Sequence, residues 1–171
     1  LEPHDVLFQM MQYSDIIFGD QNEWEVASGV PHIPFEALDA DYEIDKEAYL
    51  EYFRKMHQLF PKCKKMLMAV RNQIASSHHT LSGLLYDAVE DQLYTTRIYD
   101  IEPIVDPMGV GDAFIAAYIH AHQKWGDKNQ YCLDFSLSAS AIKNTVPGDQ
   151  NLVTEEEIIN NMTSSGGRIQ R

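Results

Sequence analysis

The stretch Glu102-Pro-Ile-Val-Asp106-Pro-Met-Gly109-Val-Gly111-Asp112-Ala-Phe-Ile-Ala-Ala-Tyr118 decides how the rest of the chain is read. Ile104 and Val105 read as the end of a strand, and Asp106, Pro107 and Met108 turn the chain. Gly109, Val110 and Gly111 let backbone come close to a partner, because glycine has no side chain to block approach. Asp112 then opens a run, residues 113–122, whose apolar positions recur at helical spacing. A glycine loop feeding a helix N-terminus presents unpaired N–H groups and the positive end of the helix dipole, so it attracts an anion such as phosphate. A carboxylate in that place is also a good cap, so a bare G-x-G-D fits a plain capped helix equally.

The longer string is more specific. Asp106-Pro-Met-Gly-Val-Gly-Asp112-Ala-Phe resembles the C-terminal signature of the PfkB, or ribokinase-like, sugar kinases, where Asp-Thr-Thr-Gly-Ala-Gly-Asp-Ala-Phe is typical. The Pro-Met-Gly-Val-Gly-Asp form resembles most the bacterial 2-keto-3-deoxygluconate kinases of that family. The resemblance implies an α/β, ribokinase-like fold with a mostly parallel sheet flanked by helices. It implies that Asp112 is the base that takes a proton from a sugar hydroxyl. The backbone N–H groups of Gly109, Val110, Gly111 and Asp112 would form the anion hole for the phosphoryl group in transfer. Phosphoryl transfer is mostly positioning and charge stabilisation, so one carboxylate beside a helix N-terminus is a sufficient protein contribution.

Composition narrows the alternatives. The chain has 171 residues, 44% of them hydrophobic, with a formal net charge of −13. That suits one soluble domain with a real core. An acidic balance disfavours nucleic acid and anionic membrane surfaces, both of which call for Lys and Arg. No apolar run approaches the ~20 residues of a membrane span, and no signal-peptide pattern opens the sequence. Cys63 and Cys132 are widely spaced and lack a C-x-x-C arrangement, so they read as reduced thiols of a cytoplasmic protein. No G-x-x-x-x-G-K-S/T is present, which excludes a P-loop kinase.

Upstream of the signature, residues 3–13 carry Val6, Leu7, Met10 and Met11 at helical spacing, and residues 15–18 read as a short buried strand. Residues 20–29 follow as a helix with Asp20 as cap and Gly29 as stop. In the resembled family a strand of this kind leads into Asn-x-x-Glu, whose glutamate orders Mg²⁺ and its waters. Counting back from Gly29 puts Asp20 and Glu23 on that motif, with Asp in place of the usual Asn; Asn22 with Glu25 fits the letters but not the spacing. A capping box between Asp20 and Glu23 accounts for the same pair. Residues 30–45, with Asp39, Asp41, Glu43 and Asp45, read as an acidic surface excursion. Residues 46–60 form an amphipathic helix with Tyr49, Leu50, Phe53, Met56 and Phe60 on its core face.

Residues 65–70 read as a strand whose carboxyl end releases Arg71, where ligands of open α/β sheets sit. Arg71 is therefore placed to meet an anion. Residues 76–83 replace the glycine-containing nucleotide turn of the family, and His78-His79 has no third ligand at a zinc spacing. Residues 84–86 and 92–99 alternate as strands around a turn at Asp91. A helix over 129–144 has small residues Ser136, Ser138, Ala139 and Ser140, which admit a ligand or a neighbouring helix. By the resemblance its end and the following loop, with Lys143, Asn144 and Gly148, line the adenine and ribose pocket and help hold a monovalent cation. Lys143 also suits a partner of the helix C-terminal dipole. Thr154 to Glu157 opens a last helix with a capping-box pattern, and the Gly/Ser-rich residues 164–171 read as a mobile tail.

The resemblance covers nearly the whole chain but only the C-terminal half of the family. Residues 1–163 correspond to its nucleotide-binding part, with the N-terminal sugar-binding half and the lid absent. The resemblance implies ATP and Mg²⁺, a small-molecule sugar acid as acceptor, K⁺ near Asp106, and a homo-oligomer in the complete protein. The reading from another class is a non-catalytic nucleotide-binding or assembly module that keeps the kinase fold.

Overall fold

The computed structural model of the chain describes residues 2–35, 39–164 and 168–169. The elements run α1 (Pro3–Met11), β1 (Ile16–Gly19), α2 (Gln21–Ser28), α3 (Lys46–Leu59), β2 (Lys65–Ala75), β3 (His78–Asp87), β4 (Gln92–Thr95), β5 (Tyr99–Ile101), α4 (Val110–Trp125), α5 (Asn129–Lys143), α6 (Glu155–Thr163) and β6 (Arg168–Ile169). The strands are ordered β1-β2-β3-β5-β6, with β4 also on β3. β1 runs parallel to β2, with Ile16 opposite Lys65, and β5 runs parallel to β6. β3 and β5 are antiparallel, with Thr80 opposite Asp100. Only two residues, Ser76 and Ser77, separate β2 from β3, and a link that short joins antiparallel neighbours. The α/β class stands, and the sheet is mixed rather than mostly parallel.

The chain divides into two compact units. The first holds residues 1–36, 43–70 and 84–94. Its core is aromatic. Tyr49, Tyr52, Phe53 and Met56 form the buried stripe of α3 at i, i+3, i+4 and i+7, as helical spacing requires. Phe53 takes the edge of Trp24 at 5.5 Å and stacks on Tyr86 at 5.7 Å, pairs that add ~0.5–1.5 kcal/mol beyond simple burial. Ile17, Phe60, Met66, Met68 and Leu84 complete the cluster. Asp45 caps α3 by accepting from the Ala48 N–H at 3.0 Å. Cys63 is a free, buried thiol, pushed up to about 11 by burial.

The second unit holds residues 37–42, 71–83 and 95–171. Its centre is the α4–α5 pair, joined by three residues around Gly126, so the two helices run antiparallel. Ala113, Phe114, Ala117, Tyr118 and Ala121 of α4 are buried. Ser136, Ser138, Ala139 and Ser140 of α5 are buried as well. The Ser140 hydroxyl donates to the Val110 carbonyl at 3.0 Å, so these small residues admit a neighbouring helix. Gly83 is crowded by Leu133 and Thr96, where a Cβ would stand 3.2 Å from each. Arg97 donates to the carbonyls of Asn161 and Ser164, both at 2.6 Å, and so closes the C-terminal end of α6.

Several sequence expectations change. β2 does not end at Val70: residues 71–75, polar at Arg71, Asn72 and Gln73, continue it with alternating exposure as one arm of the hairpin. Residues 78–83 are strand rather than a nucleotide turn. The expected strand over 92–99 is two strands, because Thr96 leaves the ladder to bond Gly83 through both its N–H and its hydroxyl. Ile104 and Val105 are not strand; their N–H groups reach the carbonyls of Ser77 and Asn144, each at 2.8 Å. In the expected tail, Arg168 and Ile169 pair with Asp100 and Ile101 of β5 instead of moving freely. Residues 165–167 and 170–171 of that tail, and residues 36–38 of the acidic excursion, lie outside the described residues. No helix among the described residues is long and apolar enough to cross a membrane.

Candidate functional site

The site is built where the loop before α4 meets the loop after α5. Gly109 is the N-cap of α4, at φ +74. Only glycine takes that left-handed conformation without strain. A Cβ at this position would also overlap the carbonyl oxygen of Asp149. The two requirements together make residue 109 glycine. Helix α4 starts at Val110, and its first ladder bond runs from the Ala113 N–H to the Gly109 carbonyl at 2.9 Å. Asp112 is thus the third residue of the helix and not its cap, a correction to the sequence reading. No side chain caps this helix. The N–H groups of Val110, Gly111 and Asp112 precede the first helical bond and have no intrahelical acceptor. At Gly111 a Cβ would meet nothing within 4 Å, so the space beside this residue is open. Asp112 is exposed, and its carboxylate has no hydrogen-bonding or ionic partner among the described residues.

Asp106 ties the two loops together. One carboxylate oxygen accepts the Met108 N–H at 3.0 Å and the other accepts the Gly148 N–H at 2.9 Å. Those two N–H groups, with the nearby Lys143 charge, hold its carboxyl below the usual aspartate range. The Asn144 carbonyl accepts from the N–H groups of Val105, at 2.8 Å, and Asp106, at 3.2 Å. Asn144 is itself buried and fixed by its amide to the Ser140 carbonyl at 3.0 Å. Lys143 is 0% exposed, and its ammonium donates to the Val146 carbonyl at 3.1 Å and the Asp106 carbonyl at 3.4 Å. Its ammonium thus engages one carbonyl on each of the two loops.

The structure thus brings together Asp106, Gly109, Val110, Gly111, Asp112, Lys143, Asn144 and Gly148. Arg71 stands exposed within β2 instead of leaving a strand end. Asp20 and Glu23 belong to the first unit. There Asp20 caps α2, taking the Glu23 N–H at 2.8 Å, while the Glu23 carboxylate takes the Asp20 N–H at 2.8 Å. Gly29 ends that helix in the left-handed region, at φ +73. Sequence reading missed Asp149, whose carbonyl oxygen a Cβ at Gly109 would overlap, and the bond from the Ser140 hydroxyl to the first carbonyl of α4. Among the described residues, no three His, Cys, Asp or Glu side chains group as a metal site.

A mixed sheet flanked by helices matches the ribokinase-like fold. The structural neighbours of the chain are PfkB-family carbohydrate kinases, a 2-dehydro-3-deoxygluconokinase among them. That enzyme, from Thermotoga maritima, aligns over 94% of this chain with a TM-score of 0.80 and 25% identity, across 45% of its own length. A PfkB family carbohydrate kinase from Listeria grayi aligns over 94% of the chain and 45% of its own, at TM-score 0.76 and 23% identity. Ribokinase from Arabidopsis thaliana, solved with ribose and ATP, aligns over 92% of the chain and 44% of its own, at TM-score 0.66 and 21% identity. The chain therefore spans less than half the length of these structures. No family model matches it, and no curated protein sequence does.

Proposed function

We propose that the chain is the nucleotide-binding, base-carrying part of an ATP-dependent sugar kinase, with 2-keto-3-deoxygluconate as the acceptor. The observation that carries this reading is the start of α4: a helix N-terminus without a side-chain cap, open beside Gly111, with the Asp112 carboxylate exposed in its first turn. Unpaired N–H groups and the helix dipole stabilise the charge of a phosphoryl group. Asp112, in the same turn, accepts the proton of the attacking hydroxyl. The loop after α5, with Asn144 and Gly148, fixes the turn from which Gly109 starts the helix and would line the nucleoside.

For Mg²⁺ the reading keeps Glu23: one of its carboxylate oxygens takes the Asp20 N–H, and the other would hold a hard cation or its waters. Mg²⁺, when bound, would supply positive charge for phosphoryl transfer. Asp20 holds Glu23 in orientation through the capping box. The substrate and partners of the intact protein belong to this same proposal: ATP, a sugar acid, and a second copy of the chain.

The test is a coupled ADP-release assay on the intact protein with a panel of sugar acids and neutral sugars. The expected result is turnover that depends on 2-keto-3-deoxygluconate and exceeds that with ribose or fructose. ATP hydrolysis unaffected by any sugar would refute the reading. A preference for a neutral sugar would keep the kinase and reject the acceptor.

A further inference from the structure

Lys143 is a charged side chain with no exposure at all. Removing an ammonium from water costs many kcal/mol unless other groups replace its hydration. Here those groups are main-chain oxygens. The Lys143 Nζ donates to the Val146 carbonyl and the Asp106 carbonyl, one on each of the two loops that form the site. The carboxylate of Asp106 adds negative charge beside it. Lys143 is also the last residue of α5, where the negative end of the helix dipole favours a cation. Carbonyl oxygens that take over a cation's hydration shell are how proteins bind K⁺. This cage already contains its cation, tethered to α5.

From this we propose that the Lys143 ammonium is a built-in monovalent cation. It positions the Asp106–Asp112 loop, and it makes the site independent of added K⁺ or NH₄⁺. The assignment replaces the K⁺ expected near Asp106 with a side chain, and Lys143 acts as a positioning residue through Asp106 and Gly109, not on the substrate. Its catalytic arm rests on the kinase reading; its cation arm does not.

The experiment compares the intact protein with Lys143→Met, which keeps length and loses charge, and Lys143→Ala, which empties the cage. Each is measured in KCl, NH₄Cl and tetramethylammonium chloride at equal ionic strength. The readouts are the melting temperature, the Met108 and Gly148 amide shifts, and turnover. The parent protein is expected to be indifferent to the cation in all three. Lys143→Met is expected to lose about 10²-fold in turnover, the scale of a loop misplaced by ~1 Å, with no response to cations. Lys143→Ala is expected to recover amide shifts, melting temperature and part of its turnover in NH₄⁺ or K⁺, but not in tetramethylammonium. A purely structural lysine gives no cation-selective recovery. Activation of the parent protein by K⁺ over tetramethylammonium would overturn the proposal, and so would a folded Lys143→Ala that responds to no cation. If neither variant folds, the parent's response to K⁺ decides alone. If the parent has no sugar-dependent turnover, the kinase reading fails while the shifts and melting temperatures still judge the cation.

Discussion

Helices α2 and α4 each carry a carboxylate as their third residue, Glu23 in one and Asp112 in the other, and they treat it in opposite ways. In α2 the acid is turned back on the helix. Asp20 and Glu23 satisfy each other's N–H groups in a closed capping box, and α6 repeats the device with Thr154 and Glu157. In α4 the cap is a glycine, no side chain closes the N-terminus, and Asp112 faces solvent unengaged. A cap contributes ~0.5–2 kcal/mol, so an uncapped N-terminus gives up local stability. The difference is that α4 leaves its first donors and its acid unengaged among the described residues, where α2 uses both on itself. Its loop is held instead by tertiary bonds from Asp106, Asn144 and Lys143.

The largest expected effect separates the two aspartates of that loop. Asp112→Asn keeps shape and cannot accept a proton, so turnover of the intact protein should fall at least about 10²-fold with ADP affinity unchanged. Asp106→Asn should act through the loop, lowering nucleotide affinity and turnover together. Steady-state kinetics and ADP titration on both variants separate these patterns. If Asp106→Asn loses turnover alone and Asp112→Asn does not, the base sits at the wrong end of the loop in this account.

Gly109→Ala comes next. It adds left-handed strain of ~1–2 kcal/mol and an overlap with the Asp149 carbonyl. Chemical denaturation should show a loss of at least that size, together with weaker nucleotide binding. An unchanged midpoint would mean the two loops are not pinned as described.

The caps give a smaller contrast. Asp20→Ala should cost about 1 kcal/mol, whereas Asp112→Ala should stay within about 0.5 kcal/mol, because Asp112 caps nothing. Equal losses in denaturant melts would erase the distinction between the helices.

The smallest effect is in pH. The Asp106 carboxyl is held below its ordinary value by the Met108 and Gly148 N–H groups and by Lys143. Its contribution is present in full above the unfolded-state value of ~3.9 and is lost as pH falls through the lower folded value. Asp106→Asn should therefore lose its stability deficit relative to the parent only in that acid window, as read from melts over a pH series. A deficit that vanishes near neutral pH would contradict the assignment.

Capping was legible in the sequence because it is local. Asp20, Glu23 and Gly29 declare α2 through side chains three to nine residues apart, and Thr154 with Glu157 does the same for α6. The glycine loop and its acid were legible by resemblance, but the start of α4 was not, since a left-handed φ at Gly109 leaves no trace in the letters. Ile104 and Val105 looked like strand because they are apolar and β-branched, yet their N–H groups serve Ser77 and Asn144. The same limit hid the role of Lys143, whose partners are carbonyls that any residue could supply. β2 outran its apolar run because residues 71–75 are held by hairpin pairing rather than by burial.

The central claim is that α4, and not α2, offers its N-terminus to phosphate. Backbone amide NMR of the intact protein during titration with ADP and Mg²⁺ tests it directly. The account predicts large shifts and slowed exchange at Val110, Gly111 and Asp112, with Gln21 and Asn22 showing no loss of their capped exchange behaviour. Saturable ADP binding that leaves residues 110–112 unmoved would contradict it.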